Sequence, residues 1–158
     1  MQGTYVLLIG LTKSSDTPIG KRGNYSFEAG YYAYVGSALN SLEKRIERHV
    51  RIEKKPHWHI DYLLKEAKVR QVVYAETDKK QECTIAKELL MTLKLVRGFG
   101  CSDCKCEAHL FYHKDLNILR ETVLRGFMAL NLIPVVTLAS QLSSKALSIR
   151  SNNVESTT

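Results

Sequence analysis

The stretch YYAYVGSALNSLEKRIERH, residues 31–49, decides the fold. Its first part is aromatic and β-branched, which is typical of a strand, and Gly36-Ser37-Ala38 then interrupts that pattern. Asn40 can cap a helix, with Glu43 as its capping partner three residues later. Apolar residues follow at helical spacing, so the segment predicts a strand that leads into a helix over about residues 41–52.

The flanking sequence continues this mixture of strands and helices. Residues 5–11 are apolar and predict a buried strand, whereas residues 12–24 are rich in Ser, Asp, Gly and Pro and predict a loop. The spacing of apolar residues predicts the remaining elements, which are helices over 57–67, from Asp78 and over 115–128, and strands over 24–38, 69–75 and 109–112. We therefore expect an α/β (α+β) fold with a small central, mostly antiparallel sheet flanked by helices.

The composition favours a polyanionic partner without requiring one. The net charge is +7, from 23 basic and 16 acidic residues, which suits nucleic acid, although solubility alone explains such an excess equally well. Six cations cluster within a dozen residues: Lys44, Arg45, Arg48, Arg51, Lys54 and Lys55. No apolar run approaches the ~20 residues of a membrane span and no signal segment begins the chain, so we expect a soluble cytoplasmic protein.

Five residues are of the types that phosphodiester hydrolysis requires. That reaction needs a base for the water, a cation for the phosphate and usually a carboxylate-held metal. Arg45 and His49 are four residues apart and share one helix face, and Glu82 opens a later helix on its buried side. A divalent cation would offset the cost of a carboxylate there. The candidate catalytic residues are Tyr5, Tyr34, Arg45, His49 and Glu82.

Each of these residues also has an ordinary structural explanation. Strand tyrosines usually pack in the core, and a helix arginine is usually solvated. A histidine on an apolar face is usually a hydrogen-bonded core residue, and a glutamate in a first turn favours the helix dipole. Only the arrangement of the five residues therefore favours catalysis.

That arrangement resembles the GIY-YIG fold of excision-repair nuclease subunits and intron-encoded homing endonucleases. Gly3-Thr4-Tyr5 matches the first motif, Tyr34-Val35-Gly36 the second, and residues 42–49 the arginine-bearing helix. The chain is still more similar to the archaeal Uri-type endonuclease-like family, formerly a domain of unknown function. The matching features lie between residues 3 and 112: GYYAYVGSA from Gly30, Arg48-His49, HWHIDYLL from His57, Glu82-Cys83 and GFGCSDC from Gly98.

The resemblance implies a metal-dependent endonuclease that hydrolyses DNA phosphodiester bonds, with DNA repair as one candidate role. Tyr34 or Tyr5 would help to deprotonate water, and His49 would orient the water or share the role of base. Arg45 would stabilise the phosphate, and Glu82 would hold one Mg²⁺ or Mn²⁺ ion. The alternative is a nucleic-acid-binding module of the same fold that lacks cleavage activity.

The composition of the sequence divides the chain into a domain and a tail. The sequence also departs from the family pattern in three places. The nuclease-like domain would span residues 1–132, and residues 133–158 would form a C-terminal tail that is at least partly disordered. The departures are a long insertion over residues 13–30, Thr4 in place of Ile, and the lack of an asparagine over residues 93–97.

Basic and aromatic residues near this site predict contacts to nucleic acid. His57-Trp58-His59 with Asp61 could contact DNA, with Trp58 stacked on a base, but we favour a cluster that braces the helix before it. The predicted phosphate contacts are Lys21, Arg22, Lys44, Arg48, Arg51, Lys54 and Lys55.

The cysteine-rich loop has two explanations. Cys101, Cys104, Cys106 and His109 could hold structural zinc, with Cys83 as a distant ligand. Three thiols and an imidazole within nine residues do not form the usual separated pairs of ligands, so buried cysteines in a tight turn are the favoured explanation. If this loop is the functional site, the protein is a metal or redox sensor.

Overall fold

A six-stranded sheet forms the centre of the protein. The computed structural model describes residues 1–101 and 104–142, apart from the side chain of Arg22. The strand order is β6-β7-β4-β1-β5-β8, and every neighbouring pair is antiparallel. The strands of this sheet are β1 (Gly3–Leu11), β4 (Gly30–Ala38), β5 (Lys68–Glu76), β6 (Lys94–Leu95), β7 (Leu110–His113) and β8 (Val135–Leu138). A separate hairpin pairs β2 (Ser15–Pro18) with β3 (Asn24–Phe27).

Helices cover both faces of the sheet. The central strand β1 is buried on both sides, with Tyr5 and Leu7 packed in one apolar cluster and Val6 and Leu8 in the other, because successive strand side chains point to opposite faces. The first cluster lies under α1, α2 and the hairpin, and the second under α3 and α4. The helices are α1 (Leu42–Val50), α2 (His59–Leu63), α3 (Glu82–Leu90) and α4 (Leu116–Ala129). The predicted α/β class, with its mostly antiparallel sheet flanked by helices, is confirmed.

The start of α1 differs by one residue from the prediction. Ser41, and not Asn40, is the N-cap, and its side-chain oxygen accepts a 3.3 Å hydrogen bond from the backbone N–H of Lys44. Glu43 lies 3.2 Å from the amino group of Met1 and does not reach back to the cap. The predicted pairing of Asn40 with Glu43 is therefore wrong, although the helix itself is in the expected place.

The segment predicted to be a loop contains β2 and the turn of the β2–β3 hairpin, whereas β3 lies at the start of the strand predicted over residues 24–38. The sequence of β2 hid that strand because Asp and Pro disfavour strands in general. Ile19 and Phe27 anchor the hairpin, since both are buried in the first apolar cluster. The ring of Phe27 lies 5.8 Å from that of Tyr32 and 6.0 Å from that of Phe99, edge to face. The insertion is thus part of the core.

The sheet continues beyond residue 132, where the domain was predicted to end. β8 pairs with β5 from Val135 opposite Tyr74 to Leu138 opposite Gln71, and Leu142 is buried in the first apolar cluster. The sheet and the core therefore extend past residue 132, and the rest of the predicted tail, residues 143–158, lies outside the described residues. Within the described part of the chain, none of the helices has the length and apolar character needed to cross a membrane.

Candidate active site

A cleft of about 460 Å³ opens at the end of the sheet where β1 begins and β4 ends. Four of the five predicted catalytic residues line it: Tyr5, Tyr34, Arg45 and Glu82. The fifth, His49, lies behind Tyr5, with its Nε2 atom 2.7 Å from the Tyr5 hydroxyl. Residues that are far apart in the sequence therefore meet in one place.

Tyr5 and His49 form a buried hydrogen-bonded pair, each with 2% of its surface exposed. Burial raises the pKa of Tyr5 to about 12, although the nearby Arg45 guanidinium opposes the shift. Burial also lowers the pKa of His49 to about 3, against the opposing charge of Asp61. Both groups are therefore neutral at pH 7, and Nε2 of the imidazole can accept a hydrogen bond from the phenol O–H.

Gly36 is required by the ring of Tyr5. The two residues are directly opposite each other in the β1–β4 register. A Cβ atom at position 36 would lie 2.5 Å from both the Cζ and the hydroxyl oxygen of Tyr5, which is far inside van der Waals contact. The predicted interruption of the strand at Gly36 is wrong, because β4 continues to Ala38.

Arg45 is held at the cleft by two neighbours. Its Nη1 atom donates a 3.2 Å hydrogen bond to the carbonyl oxygen of Ser37, and its guanidinium carbon lies 4.7 Å from the centre of the Trp58 ring. The bond to Ser37 shows that this face of α1 is turned towards the sheet. The guanidinium keeps further N–H donors with which it can bind an anion in the cleft.

Glu82 reaches the cleft from the opposite face of the sheet. It is the first residue of α3 and accepts a short hydrogen bond from the Ser37 hydroxyl, which in turn lies 3.2 Å from the hydroxyl of Thr4. The tyrosines belong to the face that α1 covers. The end of the sheet therefore brings a carboxylate from one face beside phenols and a guanidinium from the other.

A comparison with models of protein families assigns the chain to one family. The model of the domain of unknown function DUF123 matches residues 4–132. The chain belongs to the DUF123 family. The comparisons with curated proteins and with solved structures found no match. The matched region of this DUF123 domain contains the five predicted catalytic residues and all four cysteines.

The His57–Asp61 segment of the DUF123 domain braces α1. The carboxylate of Asp61 accepts two 3.0 Å hydrogen bonds from the guanidinium of Arg48 and one each from the backbone N–H groups of His57 and Trp58. It is therefore the backbone of His57 that binds the carboxylate of Asp61. Trp58 lies between two guanidinium groups, with that of Arg48 4.4 Å from its ring centre, as a bracing cluster requires.

The predicted phosphate-binding residues divide into two groups. Arg48 and Lys54 have internal partners: Lys54 donates to the carbonyl oxygens of His49 and Arg51 at 2.9 and 2.6 Å. Their assignment as phosphate contacts does not fit these bonds. The exposed members of the set are Lys21, Lys44, Arg51 and Lys55, and the side chain of Arg22 lies outside the described residues.

Two cleft residues were missed from the sequence. Lys80 lines the cleft two residues before Glu82, and its position beside a predicted catalytic residue was the signal that could have identified it. Ser37 orients both Arg45 and Glu82 through its carbonyl and hydroxyl groups. Nothing local marks a serine for that role, because both of its partners come from other elements.

The cysteine-rich loop of the DUF123 domain forms a four-residue group that could hold a metal ion. The ligand atoms all lie within 4.8 Å of one another. Cys83 from α3, predicted as a distant ligand, belongs to the group, whereas Cys101 does not, and its thiol donates to the carbonyl oxygen of Phe99. Burial, followed by the neighbouring thiols, raises the pKa of Cys83 to about 12. The group consists of Cys83, Cys104, Cys106 and His109.

Proposed function

We propose that this protein is a metal-dependent endonuclease that hydrolyses DNA phosphodiester bonds, as its resemblance to the GIY-YIG and Uri-type families implies. The observation that supports the proposal is the convergence of Tyr5, Tyr34, Arg45 and Glu82 in one cleft. These residues offer a proton acceptor, a fixed positive charge and a carboxylate, which are the three groups that the reaction needs.

Tyr34 is the better placed of the two tyrosines to contact the attacking water. It is partly exposed in the cleft, whereas Tyr5 is buried and hydrogen-bonded to His49. A tyrosine with a pKa of about 12 is a poor base at pH 7. In our proposal the ionised form of Tyr34, a phenolate that the Arg45 guanidinium and the divalent cation would favour, orients the water and accepts its proton. The Tyr5–His49 pair holds the floor of the cleft in position.

Arg45 would neutralise charge on the phosphate. A guanidinium fixed by Ser37 and Trp58 needs little reorganisation when charge develops on the phosphate oxygens. Lys80 on the cleft wall adds a second positive charge. The exposed Lys44 and Lys55 extend this surface towards the phosphates that flank the reacting one.

Glu82 would hold the divalent cation, for which Mg²⁺ and Mn²⁺ are the candidates. Mg²⁺ takes oxygen ligands and is commonly bound by one or two carboxylates, with water and substrate phosphates as the remaining ligands. A single carboxylate at an open polar cleft beside the Ser37 hydroxyl fits that description. When bound, the ion would offset phosphate charge and lower the pKa of a bound water.

The test compares Glu82→Gln with Glu88→Gln, a change of the same kind in the same helix and away from the cleft. Both proteins are incubated with single-stranded, duplex and branched DNA and either Mg²⁺ or Mn²⁺. We expect Glu82→Gln to lose about 10²-fold or more of the cleavage rate, because it removes the ion's carboxylate, and Glu88→Gln to cleave like the wild type.

Equal background nicking by the wild type and Glu82→Gln would exclude the nuclease. If both proteins still bind DNA in a salt-dependent way, the alternative function, a nucleic-acid-binding module of this fold that lacks cleavage, replaces it. Electrophoretic mobility shift at two salt concentrations measures that binding. A role in DNA repair is supported if branched or damaged DNA is cut faster than plain duplex.

A further inference from the structure

The four-residue metal group connects two parts of the fold that are distant in sequence. Cys83 lies in the first turn of α3, while Cys104 and Cys106 lie in the loop before β7. His109 directly precedes β7 and is fixed by its backbone, which donates to the carbonyl of Phe99 and accepts from the N–H of Val35, each at 2.9 Å. The imidazole is therefore positioned by the sheet.

The distances in this group match tetrahedral coordination. Zinc lies about 2.3 Å from a thiolate sulfur and about 2.0–2.1 Å from an imidazole nitrogen, which places the two ligand atoms about 3.6 Å apart. The Nε2 atom of His109 lies 3.5 Å from the sulfur of Cys104 and 3.7 Å from that of Cys83. The four ligand atoms all lie within 4.8 Å of one another, so small side-chain rotations would complete the site.

We propose that Cys83, Cys104, Cys106 and His109 bind one structural Zn²⁺ ion. Three sulfurs and one imidazole form a ligand set that zinc uses in closed four-coordinate sites. The other common metals suit this set less well, because Mg²⁺ and Ca²⁺ take oxygen ligands and iron–sulfur clusters commonly need four thiolates. The thiols lose their protons on binding, and the three thiolates outweigh the charge of the ion by one.

The ion would fasten the start of α3 to the sheet beside the cleft. Cys83 is adjacent to Glu82, and His109 lines the cleft near Tyr34: a Cβ atom at Gly100 would lie 3.1 Å from His109 and 3.2 Å from Tyr34. The zinc site would thus fix the distance between the carboxylate and the tyrosine. This consequence rests on the proposed nuclease function, whereas binding of the ion does not.

The experiment measures the zinc content and thermal stability of the full chain. Cys101→Ser is the matched control, because Cys101 lies in the same loop but outside the metal group. We expect about one zinc ion per chain in the wild type and in Cys101→Ser. Cys83→Ser and Cys104→Ser should retain less than a tenth of that zinc content. If zinc is bound, a chelator should lower the melting temperature of the wild type.

A wild type that takes up no zinc after dialysis against the metal would overturn the proposal, as would equal zinc loss in Cys101→Ser and Cys83→Ser. If the Cys83 and Cys104 variants do not fold, the visible absorption spectrum of the Co²⁺-loaded wild type tests the proposal instead. Thiolate-to-cobalt charge-transfer bands together with the absorption of tetrahedral Co²⁺ support the site, and their absence rejects it. If the wild type binds one zinc ion per chain but cuts no DNA, the proposed nuclease function is rejected and the proposed zinc site is supported.

Discussion

His49 is a neutral imidazole in a strongly charged neighbourhood. Tyr5 faces it from β1 at 2.7 Å, and its Nδ1 atom is a buried polar atom without a hydrogen-bond partner among the described residues. Its pKa of about 3 results mainly from burial, and the remaining influences come from both signs of charge. The charged groups that face it are Asp61 of the α2 segment, Lys54 of the preceding loop, and Arg45 and Arg48 of α1.

This burial predicts that acid destabilises the protein through His49. The unfolded imidazole titrates near pH 6.5 and the folded one near pH 3, so the unfolded state binds the extra proton between those values. The contribution of His49 is complete above pH 6.5 and is lost as the pH falls, by up to about 1.4 kcal/mol per pH unit. Urea denaturation of the wild type and of His49→Gln measures this effect. The difference in unfolding free energy between the two proteins should shrink as the pH falls from 7.5 to 4.5.

The wild type measured at each pH provides the reference for this comparison. A difference between the wild type and His49→Gln that stays constant over this pH range would contradict the assignment of a neutral, buried imidazole.

At the scale of elements, the positively charged residues of α1 have two different roles. Arg48 binds the buried Asp61, whereas Lys44 is exposed. We expect Arg48→Ala to lower the unfolding free energy by about 3 kcal/mol, because it leaves a buried carboxylate without its charged partner. Lys44→Ala should change stability by less than about 0.5 kcal/mol and reduce the salt dependence of DNA binding by about 0.9 in the log–log slope.

Chemical denaturation and salt-titrated DNA binding distinguish the two variants. The same loss of stability in both, or an unchanged salt slope for Lys44→Ala, would show that the division of roles is wrong. Lys44→Ala changes the salt dependence of DNA binding only if Lys44 contacts a phosphate. An unchanged slope would therefore also show that Lys44 lies outside the DNA-binding surface.

The elements that the sequence predicted are those with a local periodic pattern. The strand and helix around Tyr34 and Arg45 have such a pattern, as does α4. Strands β2 and β8 do not, because polar residues or exposed valines obscure their alternation. Their place is set by partners elsewhere in the chain.

The candidate site was predictable to the same extent. Residue types and helix spacing placed Arg45 and His49 on one face, and the structure confirms that. The sequence named Cys83 as a distant ligand, but it could not show that Cys83 joins the group and Cys101 does not, because that depends on how α3 packs against the sheet. The bond between Ser37 and Glu82 likewise depends on tertiary packing.

At the scale of the molecule, β8 completes the sheet beyond the region that the family model matches. A chain that ends after Leu132 would lose β8 and the buried Leu142. We expect it to be less stable than a chain that ends after Leu142 by at least about 2 kcal/mol, the usual effect of burying one leucine. Urea denaturation of the two chains and the full-length protein measures this.

The longer truncation serves as the internal reference, since it keeps every strand of the sheet. Equal stability of the two truncated chains would mean that β8 contributes nothing measurable. The domain would then end where the sequence first predicted.

Because Tyr5 packs on Gly36, the two sequence motifs that contain these residues should change together during evolution. Neither position can change alone without a clash or a void, since a Cβ atom at position 36 would lie 2.5 Å from the Tyr5 hydroxyl. Among descendants of this sequence, a larger residue at position 36 should be accompanied by a smaller one at position 5. A search that scores the two positions jointly should therefore detect distant relatives that a search for either motif alone would miss.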